Sequence, residues 1–461
     1  MQNQGLLGGI GGGVVRIAAD GGTVTINGTI TANGNSPQTR GGGSGGGVWI
    51  SCGTFAATNG AIQANGQNTG GAGGANHAGG GGRIAIHYDT TAPSPTLTMK
   101  VSRGVALTTS YRGDIGTIYL SDSSLLRESL DHIEGQILGP WTSWGPANLT
   151  ISNRWVRFAT DGFKLAVTND LIIDATNALL EMGGASFVPH GCYLAYSDDM
   201  DGVGTLYHGY FKYSAATSSL TCGGNLVLTN GARMRIYSGP TNEAGGCGAL
   251  VDIKGDLLLG AGSWIHPVSH PTNGGSALFK MQNLLIDTNA GFNANQVGYG
   301  GGGGLRGSGY GPGGGGTNAT AGSGGGYGGT GGVYGAIAGG ITYGSSNAPI
   351  DPGSGGGRSG ATTTIPYSGG SGGGLIRLLV GQTFALDGTL MANGRAIGWS
   401  AGAGAGGGIN VRCRNLTGSG SIIADGGSAV TGGAGGGGGG GGRIAVWRMY
   451  ASFAGATSSP G

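Results

Sequence analysis

The chain has 461 residues, of which 113 are Gly and 14 Pro, and only 10% are charged. That much Gly and Pro without a period of three excludes collagen, and 38% hydrophobic residues with so few charges argue against disorder. A net charge of +2 provides no basic field for nucleic acid, and no run of 18 apolar residues exists to cross a membrane as a helix.

The opening residues, Met1 to Gly5, carry neither a basic stretch nor a long apolar one. No secretory signal is read there, so a processed product, a piece of a longer chain or another export route is expected. A strand-like repeat follows almost at once. Residues 11–34 and 45–66 each run as a Gly block, an alternating apolar strand, a turn, a second strand and a closing Ala-Asn-Gly. Residues 372–394 and 406–426 repeat the pattern, and the shorter blocks 79–88 and 439–448 follow each pair. Gly34 to Gly66 and Gly394 to Gly426 are both 32 residues apart, and Gly66 to Arg83 and Gly426 to Arg443 are both 17. The two ends of the chain therefore carry copies of one module.

The middle repeats more weakly. Asn148, Asp170, Asn225, Asp256 and Asn283 each precede a short apolar strand. Successive short strands at such spacing predict a β-solenoid, one coil per repeat, with the Asn and Asp side chains stacking as a ladder. Leu125–Leu138 reads as the best helical candidate. Gly-rich stretches at 66–82, 298–374 and 400–442 have the composition of linkers, but their matched lengths predict a defined path. Ordered packing of polyglycine-II type is expected, since backbones without Cβ approach closely. The fold class is thus all-β: a parallel β-solenoid with glycine-rich, polyglycine-II-like packing segments. Five regions are read: a glycine-rich β-repeat module at 1–89, an aromatic-rich irregular β region at 90–222, solenoid coils at 223–297, a glycine-rich segment at 298–371, and the second repeat module at 372–461.

The five Cys (Cys52, Cys192, Cys222, Cys247 and Cys413) form no CxxC pair. One disulfide among Cys192, Cys222 and Cys247 and buried free thiols are both open. Segment 110–215 is rich in aromatic and acidic residues. Trp141, Trp144, Trp155, Tyr207 and Tyr210 are candidate carbohydrate contacts, weighed against a plain aromatic core. Paired carboxylates there also fit glycoside cleavage. Asp198, Asp199 and Asp201 in an acidic turn before Gly202 are candidate calcium ligands, although the twelfth-position Glu of an EF-hand is absent. His266 and His270 lie close in sequence and read more plainly as a turn than as a metal corner. No other cofactor is implied.

The patterns GGGSGGGVWI, GAIQANG and GGGGRIAIHYD resemble those of bacterial glycine-rich surface proteins of adhesin-like β-helix type. The resemblance covers about half the chain and implies an exported, surface or matrix role without fixing any catalytic residue. Solenoid ends need caps, and neither end of this pattern reads as capped. Val14 and Ile17 at one end, and Ile444 and Val446 at the other, are expected to mediate assembly. The expectation is a non-enzymatic extracellular or cell-surface structural protein, polymerising with itself head to tail into a filament, sheath or matrix. A glycan-binding adhesin or tail-fibre-like module with a surface polysaccharide as partner, and a β-helix polysaccharide hydrolase or lyase, are the alternatives.

Overall fold

The computed structural model describes residues 8–36, 41–69, 77–105, 113–183, 186–188, 210–212, 216–240, 246–303, 307–318, 320–359, 368–397, 400–429 and 435–461. The chain divides into two compact units. The first holds the described residues up to Trp144 and Thr150–Thr160; the second holds Gly145–Leu149 and the described residues from Asp161 onward.

The second unit is a parallel β-solenoid with three strands per coil. Its first coil is Lys164–Val167, Leu171–Asp174 and Leu179–Met182, and later coils begin at Ser218, Ala249, Ala277, Leu375, Gly408 and Arg443. Each strand pairs in parallel with its counterpart in the next coil, which builds three sheets. Alternation sends every second residue inward, as the sequence pattern requires. One interior row runs Leu165, Leu220, Val251, Phe279, Leu378 and Val411, all buried to 1% or less. Each such side chain contributes roughly 1.5–3 kcal/mol of transfer free energy.

The predicted Asn/Asp ladder forms at one corner. The Asp170 carboxylate accepts from Asn225 N (2.7 Å), the Asn225 amide oxygen from Asp256 N (2.9 Å), and the Asp256 carboxylate from Asn283 N (3.1 Å). The Asn283 oxygen accepts from Thr383 N at 3.1 Å, across a gap of 100 residues in sequence. A second ladder joins Asn295, Asn393 and Asp425. Each rung satisfies a corner N–H that the sheets leave free. Asn225→Ala strands the Asp256 N–H and is expected to cost about 1–2 kcal/mol, measurable as a lower urea midpoint with an unchanged slope.

The first unit has long strands followed by short ones: Val14–Ile26 with Thr29–Thr31, Gly47–Ala57 with Gly60–Gln63, and Arg83–Thr91 with Leu97–Lys100. Thr29 pairs with Ala61, and in the other module Thr389 pairs with Ser421, so the 32-residue repeat is one coil. The copies differ at one corner. Val14–Ile26 continues through a register shift between Ala19 and Thr23, with Gly21 at φ 69°. Its copy breaks into Leu375–Val380 and Thr383–Leu386. Three residues, Asp20 to Gly22, stand where the copy has only Gly381 and Gln382, and they bulge opposite the single residue Gly53 of the next strand.

Most of the long Gly-rich connections of the second unit leave the same sheet and pack as a layer. Its lateral hydrogen bonds recur every third residue. Tyr299 N and Gly302 N donate to Gly353 O and Gly356 O; Gly370 N and Gly373 N donate to Gly402 O and Ala405 O; Ala403 N and Gly406 N donate to Gly437 O and Gly440 O. The first unit shows the same step, Gly42 and Gly45 donating to His77 and Gly80. A strand would bond at every second residue, whereas three residues per turn is the period of the polyglycine II helix. The described residues of the Gly blocks have backbone partners on several sides.

Leu125–Leu138 is not a helix. Leu130–His132 forms one 3-10 turn and Ile133–Leu138 a strand. The apolar residues Ile133 and Ile137 alternate with polar ones and pack inward with Gly135, so the two-residue period prevails over the helical one. Cys52, Cys222, Cys247 and Cys413 are free thiols. Burial pushes the thiols of Cys52, Cys222 and Cys247 above their usual range. Cys192 lies outside the described residues.

Candidate functional site

Each unit ends in a sheet edge. Among the described residues, Val14–Ile26 pairs only with Gly47–Ala57, and the coil beginning with Arg443–Trp447 pairs only with the coil before it. The consequence shows in the core. Ile17 is half-exposed while its register partner Ile50 is fully buried. Ile444 and Val446 are half-exposed while their partners Ile409 and Val411 are fully buried. These three side chains belong to interior rows that stop. Val14, 81% exposed, lies on the opposite, outward side of its strand.

The duplicated module shows what such edges accept. Leu375–Val380 and Thr383–Leu386, the copy of the first strand, pair on their preceding side with Ala277–Met281 and Leu284–Ile286. Arg83–Thr91, the copy of the last coil's first strand, pairs on its following side with Thr117–Leu120. Within this chain, each edge therefore has an equivalent that carries a further parallel strand.

The Gly-rich insertion braces the last coil. Arg443 Nε donates to Tyr343 O at 3.0 Å, and its guanidinium lies 5.5 Å from the Tyr327 ring centroid. Trp447 Nε1 donates to Asn347 O at 2.6 Å. Burial raises the Asp351 carboxyl above the usual carboxylate range, opposed by the Arg443 charge. Trp447, Met449 and Tyr450 remain more than half exposed beside this edge. Their signal in the sequence is three large apolar residues within four positions, where one strand ends and the next begins.

Of the proposed carbohydrate contacts, Trp141, Trp144 and Trp155 are described, each with its own partners. Trp155 has Arg103 at 4.5 Å and Arg157 at 5.6 Å from its ring centroid, and Arg157 forms a bidentate pair with Asp114 at 2.8 and 3.2 Å. Trp144 packs on Phe158 at 5.9 Å, and Trp141 Nε1 donates to Leu120 O. All three rings are partly exposed, and each makes a packing, hydrogen-bond or cation–π contact. Tyr207 and the acidic residues Asp198, Asp199 and Asp201 lie outside the described residues, as does the side chain of Tyr210. No group of three or more metal-ligating side chains occurs among the described residues.

A buried charged cluster lies elsewhere among the described residues, on the outward side of one sheet. Glu181, Arg235 and His266 occupy one register row and are all buried. Arg235 Nη1 donates to Glu181 Oε1 at 2.9 Å and meets the Tyr237 hydroxyl at 2.8 Å. Burial, with Arg235 and Arg233 acting in the same direction, holds the His266 imidazole well below its usual pKa and neutral. His270 sits apart, its Nδ1 accepting from Thr272 N and Asn273 N.

Comparison with family models, curated proteins and solved structures returns no match.

Proposed function

We propose that this is a non-enzymatic structural protein of the extracellular space or cell surface that assembles with copies of itself, the first strand of one copy adding to the last coil of another. One observation carries the reading: the interior rows at Ile17, Ile444 and Val446 end half-exposed where their partners one coil inward are fully buried. An edge with free N–H and C=O groups and an uncovered core recruits a strand. The paired equivalents of both edges inside the chain support a second copy as the occupant. Such a contact is heterologous and continues into a polymer unless it closes.

The test uses two charge variants. Electron microscopy and sedimentation at micromolar concentration should show polymers for the unmodified protein and monomers for both Ile17→Lys and Val446→Lys. Each variant keeps one intact edge, so an equimolar mixture should form dimers and stop there. Monodisperse unmodified protein at every concentration would sink the proposal. So would a mixture that stays monomeric although both variants keep the unmodified melting temperature.

A further inference from the structure

The second unit carries a cationic groove on the outward side of the sheet that contains Arg443–Trp447. Register places Asp252, Lys280, Leu379, Arg412 and Trp447 side by side on consecutive strands. Neighbouring strands are about 4.8 Å apart, so Lys280 and Arg412 stand roughly 10 Å apart along the solenoid. The groove has a volume of about 280 Å³, and its lining includes Asp252, Lys254, Lys280, Gln282, Leu379 and Arg412. Lys254 Nζ pairs with Asp252 at 2.8 Å, which leaves Lys280 and Arg412 in excess over the lining's one acid. A further cation lies alongside: Arg377, two residues before Leu379, donates to Gly246 O at 3.1 Å. Burial first, and the Arg412 charge among its other causes, lowers the affinity of Arg377 for its proton. The parallel outward row is covered by the Gly-rich insertion, Asn410 Nδ2 donating to Pro349 O, while the row from Asp252 to Arg412 is partly or fully exposed and the insertion meets it at Trp447.

We propose that this groove binds an acidic polysaccharide, a uronate chain lying along the solenoid axis with its carboxylates on Lys280 and Arg412. Three features select that ligand. The cations stand on alternate strands of one row, which suits charges spaced along an extended chain. They are also too few for nucleic acid, whose binding rests on many simultaneous phosphate contacts. Asp252 and Gln282 offer the acceptors and donors that sugar hydroxyls need, Leu379 supplies an apolar floor, and Trp447 stands next in the row as a stacking face. The proposal does not depend on self-assembly, because the groove is complete within one copy.

The experiment is calorimetric titration of the full chain with oligogalacturonate, with a neutral oligosaccharide of equal length and with single-stranded DNA. Oligogalacturonate should bind, weaken with salt and lose about tenfold in affinity in either Lys280→Gln or Arg412→Gln, the size of one charge-assisted hydrogen bond. Lys164→Gln, on an exposed position of the same sheet outside the groove, should change nothing. Equal binding of the neutral oligosaccharide, tighter binding of DNA, no binding of oligogalacturonate, or full affinity in both groove variants would each overturn the assignment. Thermal melting of the variants distinguishes lost contacts from lost folding.

Discussion

Gly439→Ala is expected to lower the stability of the second unit by about 3 kcal/mol or more, whereas Gly438→Ala, one residue earlier, should change it by less than ~0.5 kcal/mol. A methyl at Gly439 would land on the Gly404 carbonyl, and the next nearest atoms are backbone too. Backbone held on both sides by the lateral hydrogen bonds cannot step aside as a flexible side chain does. At Gly438 the nearest atom to the new methyl is 3.8 Å away, an ordinary contact, and at Gly435, three residues earlier, nothing lies within 4 Å. Gly435 and Gly438 are three residues apart, the step of a threefold helix with one side turned away from the layer, and at Gly441 that side is closed by the Ser459 carbonyl. The alternative picture of slack loops predicts the opposite ordering of consequences: both substitutions would be harmless, or mildly stabilising through the unfolded state. Denaturant midpoints of the two variants decide between them. A loss confined to Gly439→Ala establishes that Gly is used in this layer for its missing Cβ.

The coil was legible in the sequence because its length is written twice. The 32-residue step from Gly34 to Gly66 and from Gly394 to Gly426 is the register step of neighbouring strands. The corner ladder was legible too, since Asp170, Asn225, Asp256 and Asn283 each precede an apolar triplet. What the pattern could not convey is register across insertions. Lys280 and Leu379 are neighbours in a sheet although 99 positions separate them, so the cationic row exists only once the Gly-rich segment between them is folded out of the way. The helix expected at Leu125–Leu138 failed for a related reason. Its apolar residues satisfy both periods over a short window, and pairing with neighbouring strands selects the two-residue one. Charged residues in strands were also misleading. Glu181 and Arg235 take outward positions, which normally face water, yet both are buried.

That burial gives the second large effect. Arg235→Met should destabilise the second unit by about 3–5 kcal/mol, because it removes the guanidinium that pairs at 2.9 Å with the fully buried Glu181 carboxylate. Tyr237 still reaches Glu181 Oε1 at 3.3 Å, but a neutral hydroxyl cannot replace a guanidinium at 2.9 Å. The double variant Glu181→Leu with Arg235→Met removes both charges and should recover at least half of the loss, since buried ion pairs exchange for apolar pairs at little net cost. His266 supplies an independent readout. Its folded pKa lies well below 6.5, so the stability it contributes is full above pH 6.5 and falls as acid forces the ring to charge. Arg235 is one cause of that depression, after burial. Removing it should therefore raise the His266 pKa and make the decline below pH 6.5 shallower in Arg235→Met than in the unmodified protein. Urea midpoints measured from pH 5 to 8 test both parts. An unchanged pH slope would show that burial and Arg233 set the imidazole without Arg235. A double variant no more stable than Arg235→Met would show that the pair is held for its hydrogen bonds and not for its charge.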